Sequence, residues 1–231
     1  MCETSAKLIL SDDEPPFSTR FDDHYYSRHD GRAECVHVFI DGNDVQTRWT
    51  KAERFTIGEL GFGTGLNFLE TWARWREDRP PGAILKFVSI EAFPLTQDEA
   101  RTALAAWPEL GELAEIMLEQ WDALDAPVML DDQTSLHVVQ HEAMQAVSEF
   151  PNDVDVWYLD GFSPAKNPDM WSEDLMRAIY DRTAPGGTFA SYTAAGWVRR
   201  NLEASGFTVE KQKGFGTKRD MIAGRKAGPE T

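Results

Sequence analysis

Short apolar segments alternate with segments of helical periodicity along most of the chain. A strand is predicted where apolar residues run together between turn residues, and a helix where they recur every three or four positions. The predicted strands are 55–60, 84–90, 128–130, 136–139, 154–159, 188–192 after a Pro-Gly-Gly stop at 185–187, 207–213 and 219–223. The predicted helices are 66–75, 96–118 with a break near 107–111, 171–183 and 195–204. This alternation predicts an α/β fold with a mostly parallel sheet, and the last two strands, which have no helix between them, predict an antiparallel edge strand.

The N-terminal part follows a different pattern. The first 20 residues are polar and include Pro15 and Pro16, which predicts a flexible arm. Residues 36–40 are mostly apolar and precede an Asp-Gly-Asn turn at 41–43, so we predict a strand that ends in a hairpin and forms a small N-terminal β element. Since no linker or repeat interrupts the rest, residues 21–227 are predicted to form a single domain, with a tail at 228–231.

Composition and charge narrow the function classes. The 231 residues carry a net charge of -16, which argues against general nucleic-acid binding because phosphate affinity comes from Lys and Arg. Residues 195–231 nevertheless hold eight basic and four acidic residues, compatible with a local phosphate contact. Two cysteines, Cys2 and Cys35, do not make a disulfide framework or a zinc site, and no metal is predicted. Without a membrane-length apolar run or a signal peptide, a cytoplasmic location is expected.

A glycine-rich loop follows the strand 55–60 and opens the next helix. A dinucleotide fingerprint that starts at Gly61 needs a third glycine at position 66, where Leu66 stands, so NAD is disfavoured. Glycines allow close backbone approach, N–H groups at a helix start suit a carboxylate, and Glu59 adds a negative charge. S-adenosylmethionine would use all three features. The candidate donor-binding residues here are Glu59, Gly61, Phe62, Gly63, Thr64, Gly65 and Asn67.

Acidic residues follow three further strands. Glu91 stands where a carboxylate can hold ribose hydroxyls, and Glu142 where one can accept from an adenine amino group. Asp160, at the end of strand 154–159, can orient an attacking amine and help remove its proton, and it also counts among the donor-binding candidates. Phe162 can stack on a base or stabilise a cationic centre beside the donor, and Lys166 can meet a phosphate.

Several motifs, spread over nearly the whole chain, together resemble one known family. They are FDDHYYS at 21–27, ELGFGTGLNF at 59–68, FPLT at 93–96, WPEL at 107–110, LDGFSPAKNPDMW at 159–171, AGWVRR at 195–200 and GFGTKRDM at 214–221. The family comprises the methyltransferase domain of the bacterial bifunctional enzyme that makes 5-methylaminomethyl-2-thiouridine in tRNA, and its stand-alone relatives. The chain departs from the usual pattern at two sites, with Ala92 in place of Lys and His141-Glu142 in place of Gly-Asp.

The resemblance implies a class I methyltransferase fold, S-adenosylmethionine as donor, and the primary amine of 5-aminomethyl-2-thiouridine at the tRNA wobble position as acceptor. It also implies that Tyr25 or Tyr26 stacks on the uridine. In the family an FAD-dependent oxidase domain generates the amine, so a separate oxidase is expected to supply it here. Phosphate binding, steeply weakened by salt, is expected from Arg199, Arg200, Lys211, Lys213, Lys218 and Arg219.

Two alternatives stay open on the sequence alone. One is a methyltransferase of the same fold that acts on a small-molecule or protein amine, which the acidic surface favours. The other is a binding module without catalytic activity, against which the intact glycines and Asp160 argue.

Overall fold

The computed structural model describes residues 8–11, 14–26 and 30–228. Within these ranges the strands are β1 (Leu8–Ser11), β2 (Glu14–Ser18), β3 (Asp23–His24), β4 (Arg54–Leu60), β5 (Ile84–Ile90), β6 (Val128–Asp131), β7 (Thr134–Val139), β8 (Val154–Leu159), β9 (Thr183–Ser191), β10 (Thr208–Lys213) and β11 (Asp220–Arg225). The α-helices are α1 (Gly31–Cys35), α2 (Val45–Trp49), α3 (Leu66–Asp78), α4 (Gln97–Leu104), α5 (Gly111–Glu119), α6 (Ala143–Ala146), α7 (Glu173–Arg182) and α8 (Gly196–Ser205).

Eight strands form one sheet in the order β10-β11-β9-β8-β4-β5-β7-β6. The five central strands, β9 to β7 in that order, are parallel, whereas β11 and β10 continue the sheet antiparallel on one side. The predicted α/β fold with an antiparallel edge is therefore confirmed. The opposite edge is antiparallel as well, because β6 and β7 are joined by a tight turn.

The sheet separates two hydrophobic cores. On one face, side chains of α3 and α5 such as Trp72, Trp75 and Met117 pack with Phe87 of β5. On the other face, α7 and α8 pack on each other and cover Trp157 and Phe189, which are fully buried. Burial on both faces explains why the central strands have nearly continuous apolar sequences.

The predicted helix 96–118 is interrupted where the sequence indicates. Thr96 caps α4 by accepting from the backbone N–H of Glu99, whose carboxylate accepts from the Thr96 N–H in return. The chain then passes through a 3-10 turn, Pro108–Leu110, into α5. Proline at the first position of that turn starts a new helical segment but cannot continue the preceding one.

The N-terminal region differs from the sequence prediction. Residues 36–40, predicted as a strand, lie in a π-helical segment, Val36–Asp41, that continues α1. The apolar run Val36–Ile40 is too short for its periodicity to distinguish strand from helix, and packing of Val38, Phe39 and Ile40 into the core decides it. The small β element is instead the antiparallel sheet β1-β2-β3, which lies within and just after the predicted arm.

Parts of these predictions lie outside the described residues, namely 1–7, 12–13, 27–29 and 229–231. The Pro-Gly-Gly segment 185–187 was predicted to precede this strand, but it lies inside β9. Gly186 has φ +77°, and the pairing register between β8 and β9 shifts between Val154 and Val156, so the glycines accommodate a bulge. Across the described part of the chain, no helix has the length and apolar character needed to cross a membrane.

Candidate active site

The carboxyl ends of four adjacent parallel strands carry the predicted site residues. In the order β8, β4, β5, β7 these ends lead to Asp160, the glycine loop 61–65, Glu91 and Glu142. A cleft of about 1010 Å³ opens above them. Ligand sites in open α/β sheets lie at this edge, and this volume is at the upper end of the roughly 300–1,000 Å³ typical of small-molecule sites. The cleft therefore has room for a donor and for part of an acceptor.

The glycine loop adopts a backbone that side chains would disturb. Gly61, Gly63 and Gly65 have φ values of +89°, +55° and +82°. A Cβ at Gly61 would lie 2.7 Å from the carbonyl oxygen of Asp160, and one at Gly63 would lie 3.0 Å from the Tyr25 ring. Because real Cβ atoms do not approach a carbonyl oxygen so closely, Gly61 is needed where β4 and β8 end side by side.

Three N–H groups of the loop bond within the protein. The amides of Gly61 and Phe62 donate to the carbonyl of Ile90, and that of Gly63 donates to Glu91. These three donors are therefore not available to a ligand carboxylate, and its binding at the N–H groups of the helix start stays a prediction. The loop contributes close approach of its backbone, and Gly61, Phe62, Gly63 and Thr64 all line the cleft.

Asn67, at the start of α3, connects two acidic side chains. Its Nδ2 donates to Glu59 Oε1 at 3.0 Å and to Asp160 Oδ2 at 2.7 Å. Glu59 is buried and also accepts from Ser89 Oγ at 2.6 Å. Asn67 and Asp160 line the cleft, but Glu59 does not. Glu59 therefore affects the cleft indirectly, because it holds the Asn67 amide that donates to Asp160.

Burial changes the protonation of these acids. Loss of solvation raises the pKa of Asp160 to about 8, with Glu34 adding to the rise while the hydrogen bond from Asn67 and the charge of Lys218 oppose it. Loss of solvation also raises the pKa of Glu59 well above its usual range, although Ser89 and Asn67 donate to it. Burial thus disfavours the negative charge expected at Glu59, and the pKa of Asp160 is about 8.

Glu91 and Glu142 differ in how firmly they are held. Glu91 accepts from the backbone N–H groups of Gly63 at 3.0 Å and Phe93 at 2.9 Å, and burial raises its pKa despite these bonds. Each carboxylate oxygen has a further lone pair, so Glu91 can also accept from two hydroxyls. Glu142 lines the same cleft but is exposed, and it precedes the short helix α6 without capping it.

Residues 20–26, here called the strap, lie along the cleft next to Phe162. The Phe21 ring stacks on Phe162 with centroids 4.5 Å apart, and Tyr25 meets the same ring edge-on at 5.3 Å. Asp23 accepts from the backbone N–H of Ser163 at 3.0 Å. Because Phe21 occupies one face of Phe162, a base can stack on that face only after Phe21 moves.

Several predicted residues fall outside the cleft lining. Lys166 forms an ion pair with Asp22 of the strap. Gly65 lies behind the loop against Met117. Phe62 does line the cleft, and its ring also packs on Trp121 in the core. Five of the predicted phosphate-binding residues also lie outside the lining, namely Arg199, Arg200, Lys211, Lys213 and Arg219.

The structure brings in residues that sequence reasoning missed. Glu34 and Cys35 of α1 line the cleft, as does Tyr192 after β9. Lys218, predicted to bind phosphate, points into the cleft mouth and pairs with Glu34. No sequence signal indicated Glu34, because α1 itself was not predicted. Phe21 and Asp23 belong to the FDDHYYS motif, which could have indicated their role.

The residues present fit S-adenosylmethionine. Gly61 and Gly63 leave space that a Cβ would take, beside an acidic wall formed by Asp160 and Glu91. Glu91 retains acceptor capacity for a ribose diol, and the Asp160 carboxyl can attract an ammonium or sulfonium group. Glu142 lies in the same cleft, after the last strand of this row.

Comparisons with known proteins agree with this site. A profile described as S-adenosyl-L-methionine-dependent methyltransferase matches residues 108–227. The tRNA 5-methylaminomethyl-2-thiouridine biosynthesis bifunctional protein MnmC of Chromohalobacter salexigens is 44% identical over 222 residues, covering 94% of this chain and 32% of that protein. The protein of the same name from Caulobacter sp. strain K31 is 43% identical over 231 residues, covering 95% of this chain and 38% of that protein.

The chain thus spans about a third of the length of these curated relatives. The crystal structure of MnmC2 from Aquifex aeolicus has the same fold, with a TM-score of 0.74 at 23% identity over 97% of this chain and 72% of that chain. The profile match covers half of the sequence, and the cleft has the glycine loop and acidic wall that the donor requires. The chain belongs to the S-adenosyl-L-methionine-dependent methyltransferase family.

Proposed function

We propose that the protein transfers a methyl group from S-adenosylmethionine to the primary amine of 5-aminomethyl-2-thiouridine at the tRNA wobble position. The product is 5-methylaminomethyl-2-thiouridine. One observation carries the proposal: a carboxyl group, Asp160, lies in the cleft wall beside the glycine loop, with a pKa of about 8. A base with this pKa is matched to removing a proton from an alkylammonium near neutral pH.

Asp160 has the position and the environment for this role. Asn67 donates to one of its oxygens at 2.7 Å, which fixes the carboxyl and leaves the second oxygen for the acceptor amine. The ionised carboxyl receives the N–H proton and so frees the nitrogen lone pair for attack. Its hydrogen bond to the amine also orients that lone pair, which is the main need of an in-line displacement.

The donor is assigned to the strand ends next to Asp160, those of β4, β5 and β7. We infer that Glu91 holds the ribose hydroxyls, that Gly61 to Thr64 lie against the donor, and that Glu142 receives the adenine amino group. When bound, S-adenosylmethionine supplies a methyl carbon on a sulfonium, which passes to the amine nitrogen as its bond to sulfur breaks. Glu59 and Asn67 keep Asp160 beside that position.

The tRNA assignment rests on the names of the relatives and on the local charge. Proteins 43–44% identical to this chain are named for biosynthesis of 5-methylaminomethyl-2-thiouridine in tRNA. The exposed basic residues of α8 and the β10–β11 hairpin offer phosphate contacts, namely Arg200, Lys211, Lys213 and Arg219. Arg199 is less accessible and pairs with Glu203. An oxidase activity that supplies the amine belongs to this proposal.

The first test is methyl transfer to purified tRNA. tRNA that carries 5-aminomethyl-2-thiouridine is expected to gain one methyl group per wobble uridine from S-adenosylmethionine, measured by mass spectrometry of its nucleosides. Matched tRNA with an unmodified wobble uridine is the control and should gain none. Labelling of small amines or of protein, with none in tRNA, would instead support the alternative acceptor classes that the acidic surface favours.

A second prediction concerns pH. kcat/KM is expected to rise about tenfold per pH unit below pH 8 and to level off above it, because Asp160 must be ionised to accept the proton. The measurement is the initial rate at low tRNA concentration between pH 6 and 9.5. Donor binding over the same range serves as the control. A rate that does not change across this range would contradict proton transfer to Asp160.

A further inference from the structure

The ammonium of Lys218 occupies a defined subsite at the mouth of the cleft. Lys218 lies in the turn between β10 and β11, and its Nζ is 2.8 Å from Oε1 of Glu34. The same Nζ is 4.1 Å from the centroid of the Tyr192 ring. A carboxylate and the face of an aromatic ring are the two groups that bind alkylammonium ions in proteins.

The walls of this subsite are more fixed than its occupant. The side chain of Glu34 is 12% exposed, whereas that of Lys218 is 42% exposed. Tyr192 is held by its hydroxyl, which donates to the carbonyl of Gly161 at 2.8 Å. Gly161 follows Asp160 directly, so this bond ties the aromatic wall to the loop that carries the predicted base. A long, exposed lysine can leave such a site at small cost.

The subsite lies beside Asp160 in one continuous cleft. Glu34, Tyr192, Lys218 and Asp160 all line it. The hydrogen bond from Tyr192 to Gly161, the residue after Asp160, sets this aromatic wall beside the carboxyl that accepts the proton. A group bound between Glu34 and Tyr192 is thus next to the position where methyl transfer is proposed.

The end of a lysine side chain and an aminomethyl group have the same chemistry, a CH2–NH3+ unit. We propose that Glu34 and Tyr192 form the binding site for the alkylammonium group of the acceptor, and that Lys218 fills it until the acceptor displaces it. This rests on the proposed function and assigns its acceptor contacts. The acceptor ammonium then gives one proton to Asp160, while Glu34 accepts a hydrogen bond from a remaining N–H. Lys218 moves toward solvent.

The test compares charge-removing variants in the full chain. Glu34→Gln is expected to raise KM for tRNA carrying 5-aminomethyl-2-thiouridine by about tenfold or more, with kcat changed much less, because a charge-assisted hydrogen bond is lost. Its affinity for tRNA with an unmodified wobble uridine should not change. Glu115→Gln is the matched control, since Glu115 pairs with Arg101 on the surface, away from the cleft.

The Lys218→Met variant tests whether Lys218 fills the ammonium subsite or instead contacts a tRNA phosphate. Removing the competing cation is expected to lower KM for the amine-bearing tRNA and to leave binding of unmodified tRNA unchanged. If both kinds of tRNA bind more weakly to Lys218→Met, the lysine contacts phosphate and the proposal is overturned. Lys86→Met, at an exposed position near the start of β5, is the control for loss of one positive charge.

Failure of this inference differs from failure of the proposed function. If the wild-type chain does not methylate the amine-bearing tRNA, the proposed function fails. If it does, and Glu34→Gln keeps the wild-type KM, the ammonium subsite is wrong although the function stands. Should Glu34→Gln fold poorly, as judged by thermal unfolding, Lys218→Met on the exposed hairpin gives the decision alone.

Discussion

Asp160→Asn is expected to lower kcat by about 10²–10⁴-fold, the usual contribution of a positioned general base. Asparagine keeps the size of the side chain and can still accept from Asn67, but it cannot take a proton from the acceptor amine. Single-turnover methyl transfer to amine-bearing tRNA measures the effect. Asp153→Asn is the matched control, because Asp153 pairs with Arg54 at the other end of the sheet.

The folding stability of Asp160→Asn shows whether its loss of activity comes from the missing base or from unfolding. Burial raises the pKa of Asp160 from 3.8 to about 8, so the folded state favours the protonated acid. The associated stability is fully present below pH 3.8 and is lost as the pH rises through about 8. The displacement is about four pH units and each unit corresponds to about 1.4 kcal/mol, so Asp160→Asn is expected to be more stable than wild type by up to about 6 kcal/mol at pH 9.

Chemical denaturation of both proteins at pH 5 and pH 9 measures this difference in unfolding free energy. The stability difference between Asp160→Asn and wild type should be larger at pH 9, because only the wild type must ionise a buried acid there. A variant that is inactive and also less stable at both pH values would mean that Asp160 serves the fold rather than the reaction. An inactive, stabilised variant that still binds S-adenosylmethionine would confirm a catalytic carboxyl and exclude a purely structural scaffold.

Gly61→Ala is expected to impair both folding and donor binding. Gly61 has φ +89°, and an added Cβ would lie 2.7 Å from the carbonyl oxygen of Asp160. Relief of this contact requires the ends of β4 and β8 to move apart, which displaces Asp160 itself. The expected loss is about 2–4 kcal/mol of unfolding free energy from strain and overpacking, with a loss of donor affinity of at least about tenfold.

Gly82→Ala is the matched control for this change. Gly82 also has a positive φ, +75°, but a Cβ there would meet nothing within 4 Å. Gly82→Ala should therefore lower the unfolding free energy only by the backbone strain, about 1 kcal/mol, and leave donor binding unchanged. Calorimetric titration with S-adenosylmethionine and thermal unfolding of both variants give the comparison. Equal effects of the two substitutions would show that the contact with Asp160 is unimportant.

The sequence predicted the sheet well because its signals are local. Strands such as Ile84–Ile90 and Val154–Leu159 are bounded by turn residues and buried on both faces, so their composition alone indicates a parallel sheet. The same reasoning failed for Val36–Ile40, where five residues are too few to show a period. There the neighbouring helix α1 and the core contacts decide the conformation.

The candidate site likewise has parts that the sequence predicts and parts that only the folded chain shows. The glycine loop, Glu91 and Asp160 could be found from the sequence because each directly follows a predicted strand, and parallel strands end at one edge. The hydrogen-bonded partners of the loop amides could not be found, because Ile90 and Glu91 belong to another strand. The stacking of Phe21 on Phe162 joins segments about 140 residues apart and likewise needs the folded chain.

By itself the sequence determined the α/β class, the order of strands and helices from 54 onward except for the short α6, and the acidic positions at the strand ends, because periodicity and turn residues act over a few neighbours. Only the tertiary structure decided the protonation of Asp160, the bridge through Asn67 to Glu59, and the meeting of Glu34, Tyr192 and Lys218. These features depend on burial and on distances between side chains remote in sequence. Such quantities exist only once the sheet and its helices have packed.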